Sequence, residues 1–296
     1  MNYIITGSLG HTGRPITEGL VNAGHTVTVI TSKAETAREI EALGANAAVG
    51  SLEDAEFVKE TFADADAVYL MIPPTWNPTN WRAWQNAIAD TYVEAIKAND
   101  IRFAVVLSSI GAHRSDGVGP VKGLHDLEEK LKGINALNVK FLRPAYFMQN
   151  FMSLVPMVKQ TGILGGNFGN PDEKVALAHP DDIAQVALHE LLNLDFTGKR
   201  VRYVVGDERT GEEIARVLGA AIGKPETPWV VFSDEQDLQG MMQAGLNQEI
   251  ARNYNEMGAA MRTGIMQEDY WLHRTTLEKT KLEDFARNEF APAFNT

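Results

Sequence analysis

The chain has 296 residues, 44% of them hydrophobic and 22% charged, which is typical of a globular protein with a sizeable core. Its formal net charge of -12 argues against nucleic acid as the main partner, because phosphate binding needs clustered lysine and arginine. No cysteine is present, which excludes disulfides and thiolate chemistry and fits a reducing compartment. No apolar stretch approaches the roughly 20 residues of a membrane span, so we expect a cytoplasmic protein without a membrane partner.

The first thirty residues carry the strongest signal. An apolar run (3–5) predicts a buried strand, an amphipathic segment (14–23) predicts a helix, and a β-branched run (26–30) predicts a second strand. Between the first strand and the helix stand three glycines in the spacing GxxGxxG: Gly7, Gly10 and Gly13. In this context such glycines let a pyrophosphate approach the N–H groups of a helix N-terminus, whereas the spacing alone would indicate only a turn. We therefore expect a dinucleotide cofactor at this loop.

The end of the second strand indicates which dinucleotide binds. An NAD-specific site usually has Asp or Glu there, but this chain has Thr31, Ser32 and Lys33, with no acid before Glu35. Ser32 can hydrogen-bond a 2′-phosphate and Lys33 can neutralise it, so the sequence favours NADP(H) over NAD(H). The alternative is that Lys33 is only a solvated loop charge. Two further cations lie within reach of the same phosphate: Arg14 and Arg38.

Helix and strand signals alternate along most of the chain and predict an α/β fold with a doubly wound parallel sheet. Further strands are expected at 45–49, 67–72, 103–107, 139–144 and 200–205. Asn77 and Pro78 look like the N-cap and first residue of a helix that runs to about Asn99. We expect a dinucleotide-binding domain over 1–207 and a smaller α/β part over 208–296 that covers the cleft, with some segments after residue 150 joining that smaller part.

Side chains that follow the strands are candidate ligands, because the crevice of an open parallel sheet lies at the carboxyl ends of its strands. Trp76 follows the fourth strand and can flank a substrate ring, and His113 follows the fifth and can reach a substrate. A methionine-rich helix, expected from Asp234 to about Met261, suits a lid over an apolar substrate and equally suits a plain core. His179 lacks partners at ligand spacing, so no metal site is expected.

Six segments together resemble the NmrA-like branch of the atypical short-chain dehydrogenase/reductases. They span nearly the whole chain and read GSLGHTG (7–13), LSSIGA (107–112), LHDLEEKL (124–131), LRPAYFMQN (142–150), AHPDDIA (178–184) and KLEDFA (281–286). The resemblance implies a Rossmann domain with a smaller C-terminal part over the nicotinamide end of the cleft.

The resemblance also implies residue roles. The pyrophosphate would be held by Gly7, Gly10, Thr12 and Gly13, with His11 either touching phosphate or facing solvent. The adenosine ribose or its phosphate would meet Thr31, Ser32 and Lys33. The cofactor would be lined by Ile72 and Pro73, with Ser108 near the nicotinamide ribose and Pro144, Tyr146 and Phe147 near the nicotinamide.

The chain departs from related enzymes in its acid/base residues. No useful Tyr-x-x-x-Lys pair occurs, because Tyr92 is followed four residues on by Ile96 and Tyr146 by Asn150. The usual tyrosine phenolate is therefore missing. Many relatives have a lysine where this chain has His125, which can hydrogen-bond a ribose hydroxyl or donate a proton near neutral pH. The alternative is a partly exposed histidine without a role.

Two functional classes remain. The first is hydride transfer from NADPH to a quinone-like or other small unsaturated acceptor, which needs little beyond stacking and exclusion of water because the cofactor supplies the chemistry. The second is a non-catalytic sensor of the dinucleotide that acts through a protein partner. A cleft built from Trp76, Phe147 and the methionine helix favours the enzyme. Assembly into a homo-oligomer is compatible with either class.

Overall fold

The computed structural model describes residues 1–296. Its strands are β1 (Asn2–Ile5), β2 (Thr26–Thr31), β3 (Asn46–Val49), β4 (Ala67–Leu70), β5 (Phe103–Leu107), β6 (Asn138–Pro144), β7 (Tyr146–Phe147), β8 (Leu164–Gly166), β9 (Val175–Ala178), β10 (Lys199–Val204), β11 (Asp207–Arg209) and β12 (Trp229–Val231). Its α-helices are α1 (Gly13–Asn22), α2 (Ala34–Ala42), α3 (Ala55–Thr61), α4 (Trp81–Ala98), α5 (Lys122–Lys132), α6 (Val155–Thr161), α7 (Pro180–Asn193), α8 (Gly211–Ala221), α9 (Asp234–Gln243), α10 (Gln248–Arg262), α11 (Glu268–Leu272), α12 (Leu282–Phe285) and α13 (Ala291–Asn295). No helix combines the length and the apolar character needed to cross a membrane.

Seven strands form one parallel sheet in the order β10-β6-β5-β4-β1-β2-β3. Every residue of the central strand β4 is buried, because helices cover both faces of the sheet. The strand order reverses between β1 and β4, and in an open sheet that switch point places the binding crevice at the carboxyl ends of the strands. The predicted fold class, an α/β doubly wound sheet of Rossmann type, is confirmed.

Two small sheets build the rest of the molecule. One contains β11, β9 and β7, and the other contains β12 and β8. Residues 146–178 therefore pair with residues 207–231 rather than with the large sheet. The division at residue 207 stays a prediction, and this pairing supports placing 146–178 with the C-terminal part, which we define as residues 146–178 and 207–296.

Two helix predictions were wrong, one at its start and one in its middle. The helix after β4 begins at Trp81 and not at Pro78, because the Asn80 side chain accepts a hydrogen bond from the Ala83 N–H (2.9 Å) and caps the first turn. The single methionine-rich helix expected from Asp234 is in fact two helices, α9 and α10. Gly245 breaks it with a φ of 91°, a left-handed conformation that favours glycine. The N-cap of α10 then comes from the Asn247 side chain.

Candidate functional site

The three glycines of the first loop are required for different reasons. Gly7 has a φ of 89°, and a Cβ on Gly13 would lie 2.1 Å from the Ser8 carbonyl oxygen, so the turn itself requires both glycines. Gly10 differs from them. A Cβ there would meet only the Gly7 carbonyl oxygen, at an ordinary 3.6 Å, and would otherwise project into open space. The fold itself does not require a glycine at position 10. A ligand in close contact with the loop would require one, because a Cβ there would occupy the ligand's space.

The same loop leaves the start of α1 without partners. The backbone N–H groups of residues 10–13 have no acceptor within the chain, and the first turn of α1 carries no acidic side chain. The positive end of the helix dipole is therefore available to an anion. The Thr12 side chain is buried and its hydroxyl accepts a hydrogen bond from the Tyr69 hydroxyl (3.2 Å), whereas His11 is exposed. This set of donors fits a pyrophosphate.

At the end of β2, the Thr31 side chain is bonded within the fold, whereas the side chains of Ser32 and Lys33 form no hydrogen bond or ion pair. The buried Thr31 hydroxyl lies 3.0 Å from the Ser8 hydroxyl and accepts a hydrogen bond from the Lys33 N–H (3.2 Å), so it ties the β2 end to the glycine loop. The side chains of Ser32 and Lys33 are exposed and have no partner. They are the polar groups that this edge of the crevice offers to a ligand.

The two other cations near this edge, Arg14 and Arg38, differ in whether they form ion pairs. Arg14 forms ion pairs with Glu39 (2.8 Å) and Glu18 (3.7 Å), whereas Arg38 is exposed and forms none. Lys33 and Arg38 are therefore the free positive charges here. Arg14 would have to leave Glu39 to bind a phosphate.

A mainly apolar cleft lies at the carboxyl ends of β5 and β6, beneath the C-terminal part. Seven of its ten lining residues are apolar, and the ten are Ser109, Ile110, Ala145, Tyr146, Phe147, Asn150, Met257, Met261, Met266 and Gln267. Burial raises the pKa of Tyr146 well above its usual value, so its phenol keeps its proton at neutral pH. Tyr146 and Phe147 are thus brought to this cleft, together with three methionines.

Other predicted residues lie elsewhere along the crevice. Ile72 and Pro73 are half-buried where the chain leaves β4, and Pro144 is the buried last residue of β6. The Trp76 side chain is 66% exposed and does not line the apolar cleft. The structure therefore does not bring Trp76 together with Phe147.

Ser108 belongs to a buried charged network that sequence reasoning missed. Its hydroxyl donates to a Glu128 carboxylate oxygen (2.6 Å), and Arg143 binds that carboxylate through two nitrogens (2.9 and 2.7 Å). Glu128 is fully buried and Arg143 is 5% exposed. The signals in the sequence were an arginine inside the apolar strand β6 and a glutamate on the apolar face of α5. The neighbouring Ser109, not Ser108, lines the apolar cleft.

This network continues into the C-terminal part. Arg143 donates to the Tyr203 hydroxyl and to an Asp269 carboxylate oxygen, both at 3.2 Å, and Tyr203 also donates to Asp269. Burial alone would raise the pKa of Asp269, but the Tyr203 hydrogen bond and nearby positive charges, Arg143 among them, hold it below its ordinary value. Asp269 is therefore ionised at neutral pH and connects α11 to the end of β6.

Four consecutive residues, 267–270, each bind a different part of the molecule, and we call them the clamp. Beside Asp269, Gln267 accepts from a β9 N–H (2.7 Å) and Tyr270 donates to a β11 carboxylate (2.6 Å). Glu268 accepts from Arg114 (2.7 Å) and lies 3.2 Å from His113 in the loop after β5. The clamp fixes Met266, the residue before it, in the wall of the apolar cleft.

Of the two histidines near the crevice, neither lines the apolar cleft. His113 is held by the clamp, as described above. His125 Nδ1 lies 2.9 Å from the Ala112 carbonyl oxygen, and since a carbonyl only accepts, Nδ1 carries the proton and Nε2 remains free. The His125 ring therefore supports the loop after β5. No group of three or more His, Asp or Glu side chains is arranged to hold a metal ion.

Comparison with known proteins gives a consistent picture. Residues 2–286 match the NmrA-like family. An NAD(P)H azoreductase of Xenophilus azovorans is 24% identical over 256 residues, which is 86% of each protein. The match and this relative support an NAD(P)H-dependent oxidoreductase.

Two solved structures share the fold. One is an NADPH-dependent quinone oxidoreductase of Escherichia coli, 17% identical, with a TM-score of 0.77 and coverage of 97% of this chain and 99% of that one. The other is a Citrobacter sp. triphenylmethane reductase complexed with NADP(H), 18% identical, with a TM-score of 0.78 and coverage of 96% and 99%. At these identities the two structures show that the fold is the same across nearly the whole chain.

Proposed function

Because the chain belongs to the NmrA-like family, we propose that it is an NADPH-dependent oxidoreductase that transfers hydride to a quinone-like or other small unsaturated acceptor. The observation that carries this proposal is that the crevice has two unlike ends. One end is an anion site of unpaired N–H groups at residues 10–13, and the other is an apolar cleft beneath three methionines. A dinucleotide that spans them would hold its phosphates at the first and its nicotinamide at the second.

The residues that would hold the cofactor follow from this placement. The N–H groups of residues 10–13 would bind the pyrophosphate, and the free side chains of Ser32 and Lys33 would bind the 2′-phosphate of NADPH. Ile72 and Pro73 would line the middle of the cofactor. Three residues would pack near the nicotinamide: Pro144, Tyr146 and Phe147.

The chain's own contribution to the reaction would be position and exclusion of water. NADPH, when bound, supplies the hydride, so no protein nucleophile is needed. The apolar walls would hold a flat acceptor against the nicotinamide, and the protonated phenol of Tyr146 would donate a hydrogen bond to an acceptor oxygen. A direct role for His125 stays a prediction, since its Nδ1 is engaged by the Ala112 carbonyl oxygen.

Cofactor choice gives the first test. We expect Lys33→Ala to raise the Kd for NADPH about tenfold while leaving that for NADH nearly unchanged, because only NADPH carries the 2′-phosphate. Both constants are measured by fluorescence titration. Arg14→Ala is the matched control, because Arg14 is committed to Glu39 and its loss should change neither constant by more than about twofold. Equal weakening of both dinucleotides by Lys33→Ala would contradict the 2′-phosphate assignment.

Turnover decides between enzyme and sensor. The protein is incubated with NADPH and a panel of quinones, and NADPH oxidation is followed by absorbance. Oxidation above the rate without protein supports the reductase. Tight NADPH binding with no oxidation by any acceptor would instead support a sensor that acts through a protein partner or a second copy of the chain. Failure to bind either dinucleotide would refute both.

A further inference from the structure

A second cavity adjoins the apolar cleft. Its volume is about 530 Å³, against about 70 Å³ for the apolar cleft. Only two of its nine lining residues are apolar, whereas seven of ten are apolar in the cleft. The two cavities have two lining residues in common, Met261 and Gln267. These two side chains form the wall between a small apolar space and a large polar one.

The two wall residues differ in how they are held. Gln267 is 4% exposed, and its amide accepts from the Ala176 N–H (2.7 Å) and donates to the Lys174 carbonyl oxygen (3.3 Å). Met261 is also 4% exposed, but only packing holds it, and its thioether chain has three rotatable bonds. Gln267 is therefore the fixed half of the wall and Met261 the movable half.

The second cavity offers a flat cation–aromatic pair, Arg274 and Trp271, among polar groups. The Arg274 guanidinium lies over the Trp271 ring, 5.4 Å from its centroid, and bonds the Glu208 carboxylate (3.2 Å from Nε). The rim adds Lys174, which forms no ion pair, and two exposed carboxylates. An aromatic ring that carries a polar, hydrogen-bonding substituent matches this lining better than an alkyl chain does, because an alkyl chain would bury charged groups without partners.

We propose that the second cavity is a subsite for a polar aryl substituent of the acceptor, and that Met261 is the specificity-determining residue that controls access to it. This inference rests on the proposed reductase function. The acceptor's reducible ring lies in the apolar cleft, and its aryl substituent passes the Met261 side chain to stack against the Arg274–Trp271 pair. Acceptors with one ring use the cleft alone. Acceptors with two rings need both cavities and are limited by the position of Met261.

The test compares two acceptors with the same reducible group: 1,4-benzoquinone and 2-(4-carbamoylphenyl)-1,4-benzoquinone. Each is reduced to its hydroquinone by one hydride from NADPH and one proton from water. The measured quantity is the ratio of kcat/KM for the arylquinone to that for benzoquinone. We expect Met261→Ala to raise this ratio about tenfold and Trp271→Ala to lower it by a similar factor. Met242→Ala, on the exposed face of α9, is the control and should leave the ratio unchanged.

Binding supplies a second readout that does not depend on turnover. The Kd of each quinone is measured for the protein loaded with NADP⁺, and the ratio of the two constants should shift in the same directions. Should Met261→Ala fail to fold, as judged by thermal melting, Met261→Val removes less volume and should raise the ratio to a smaller extent. A ratio that stays at the wild-type value in either the Met261 or the Trp271 variant would overturn the proposal. Absence of turnover with both quinones refutes the reductase function instead, and the Kd ratio still decides whether the subsite exists.

Discussion

The two ends of the crevice are built in opposite ways. The glycine loop is made from one short stretch of chain, and its shape comes from the backbone: a left-handed Gly7, and a Gly13 with no room for a Cβ. The wall of the apolar cleft is held in place by contacts between side chains far apart in sequence. There the clamp joins α11 to β9, β11 and the loop after β5, and Glu128 joins α5 to β6.

This difference sets what a substitution does at each end. In the loop, a substitution acts through a local clash, so its effect is decided by the space around one residue. In the wall, a substitution removes one side chain of a buried hydrogen bond or ion pair. The remaining polar group is then buried without a partner, and its desolvation lowers the free energy of unfolding. The wall should therefore be the more sensitive end for stability, and the loop the more sensitive end for cofactor binding.

The buried ion pair should show the largest effect. We expect Glu128→Leu to lower the free energy of unfolding by about 3–5 kcal/mol, because Arg143 then loses the carboxylate that binds two of its nitrogens. The double variant Glu128→Leu/Arg143→Met should be more stable than that single variant, since it leaves no buried guanidinium. Urea unfolding measures both values.

Glu129 provides the matched control for this pair. It is the next residue on α5, it is exposed, and its ion pair with Lys132 lies on the surface. Glu129→Leu should change the free energy of unfolding by no more than about 0.5 kcal/mol. A double variant less stable than Glu128→Leu would show that the remaining contacts of Arg143, to Tyr203 and Asp269, stabilise the fold by more than the loss of its Glu128 partner costs.

The glycine loop should show a smaller effect on stability and a separable effect on binding. Gly13→Ala should lower the free energy of unfolding by about 1–3 kcal/mol, because its Cβ would overlap the Ser8 carbonyl oxygen. Gly10→Ala should leave stability within about 0.5 kcal/mol of wild type, since its Cβ meets open space, yet weaken NADPH binding at least about tenfold. Urea unfolding and NADPH titration of both variants measure these effects.

The outcome for Gly10→Ala is the informative one. If this variant binds NADPH as wild type does, no ligand lies close to position 10, and the pyrophosphate site assigned to this loop is wrong. If it loses stability instead of affinity, the loop needs this glycine for folding, and the open space beside it has no bearing on a ligand.

The contrast between the two ends also explains what the sequence could predict. The seven parallel strands and the glycine loop could be predicted because each leaves a local signal: β-branched runs for strands, and glycine spacing before a helix. The break at Gly245 was missed because one glycine inside a helical pattern does not distinguish a kink from a stop.

The cleft wall could be predicted only in part. Tyr146, Phe147 and the methionines of α10 follow from the positions of the strand ends and from hydrophobic content. The sequence does not show that the Ser108 hydroxyl is engaged by Glu128, because that contact depends on how α5 packs on the sheet. Trp76 follows β4 as expected but is largely exposed, and its contact with a substrate stays a prediction.

The pH dependence of the free energy of unfolding tests the contribution of a single carboxylate, Asp269, to the wall. We expect this effect to be the smallest. The pKa of Asp269 lies below its unfolded value, so the ionised form stabilises the fold above the unfolded pKa of about 3.9. That contribution is lost as the pH falls through the folded pKa. Asp269→Asn should therefore be less stable than wild type at pH 7, and the difference should shrink below about pH 4.

Urea unfolding of both proteins at pH 7, 5, 4 and 3 measures this difference, with Asp195→Asn, an exposed aspartate without a partner, as the control. If the difference shrinks in acid, the charge on Asp269 is what ties the clamp to Arg143 and Tyr203, and the wall is an electrostatic structure at its end nearest the sheet. If it stays constant, the carboxylate acts through its shape and hydrogen bonds alone. The wall would then be held by packing and hydrogen bonds and not by charge, and its difference from the loop would lie mainly in how far apart in sequence its parts are.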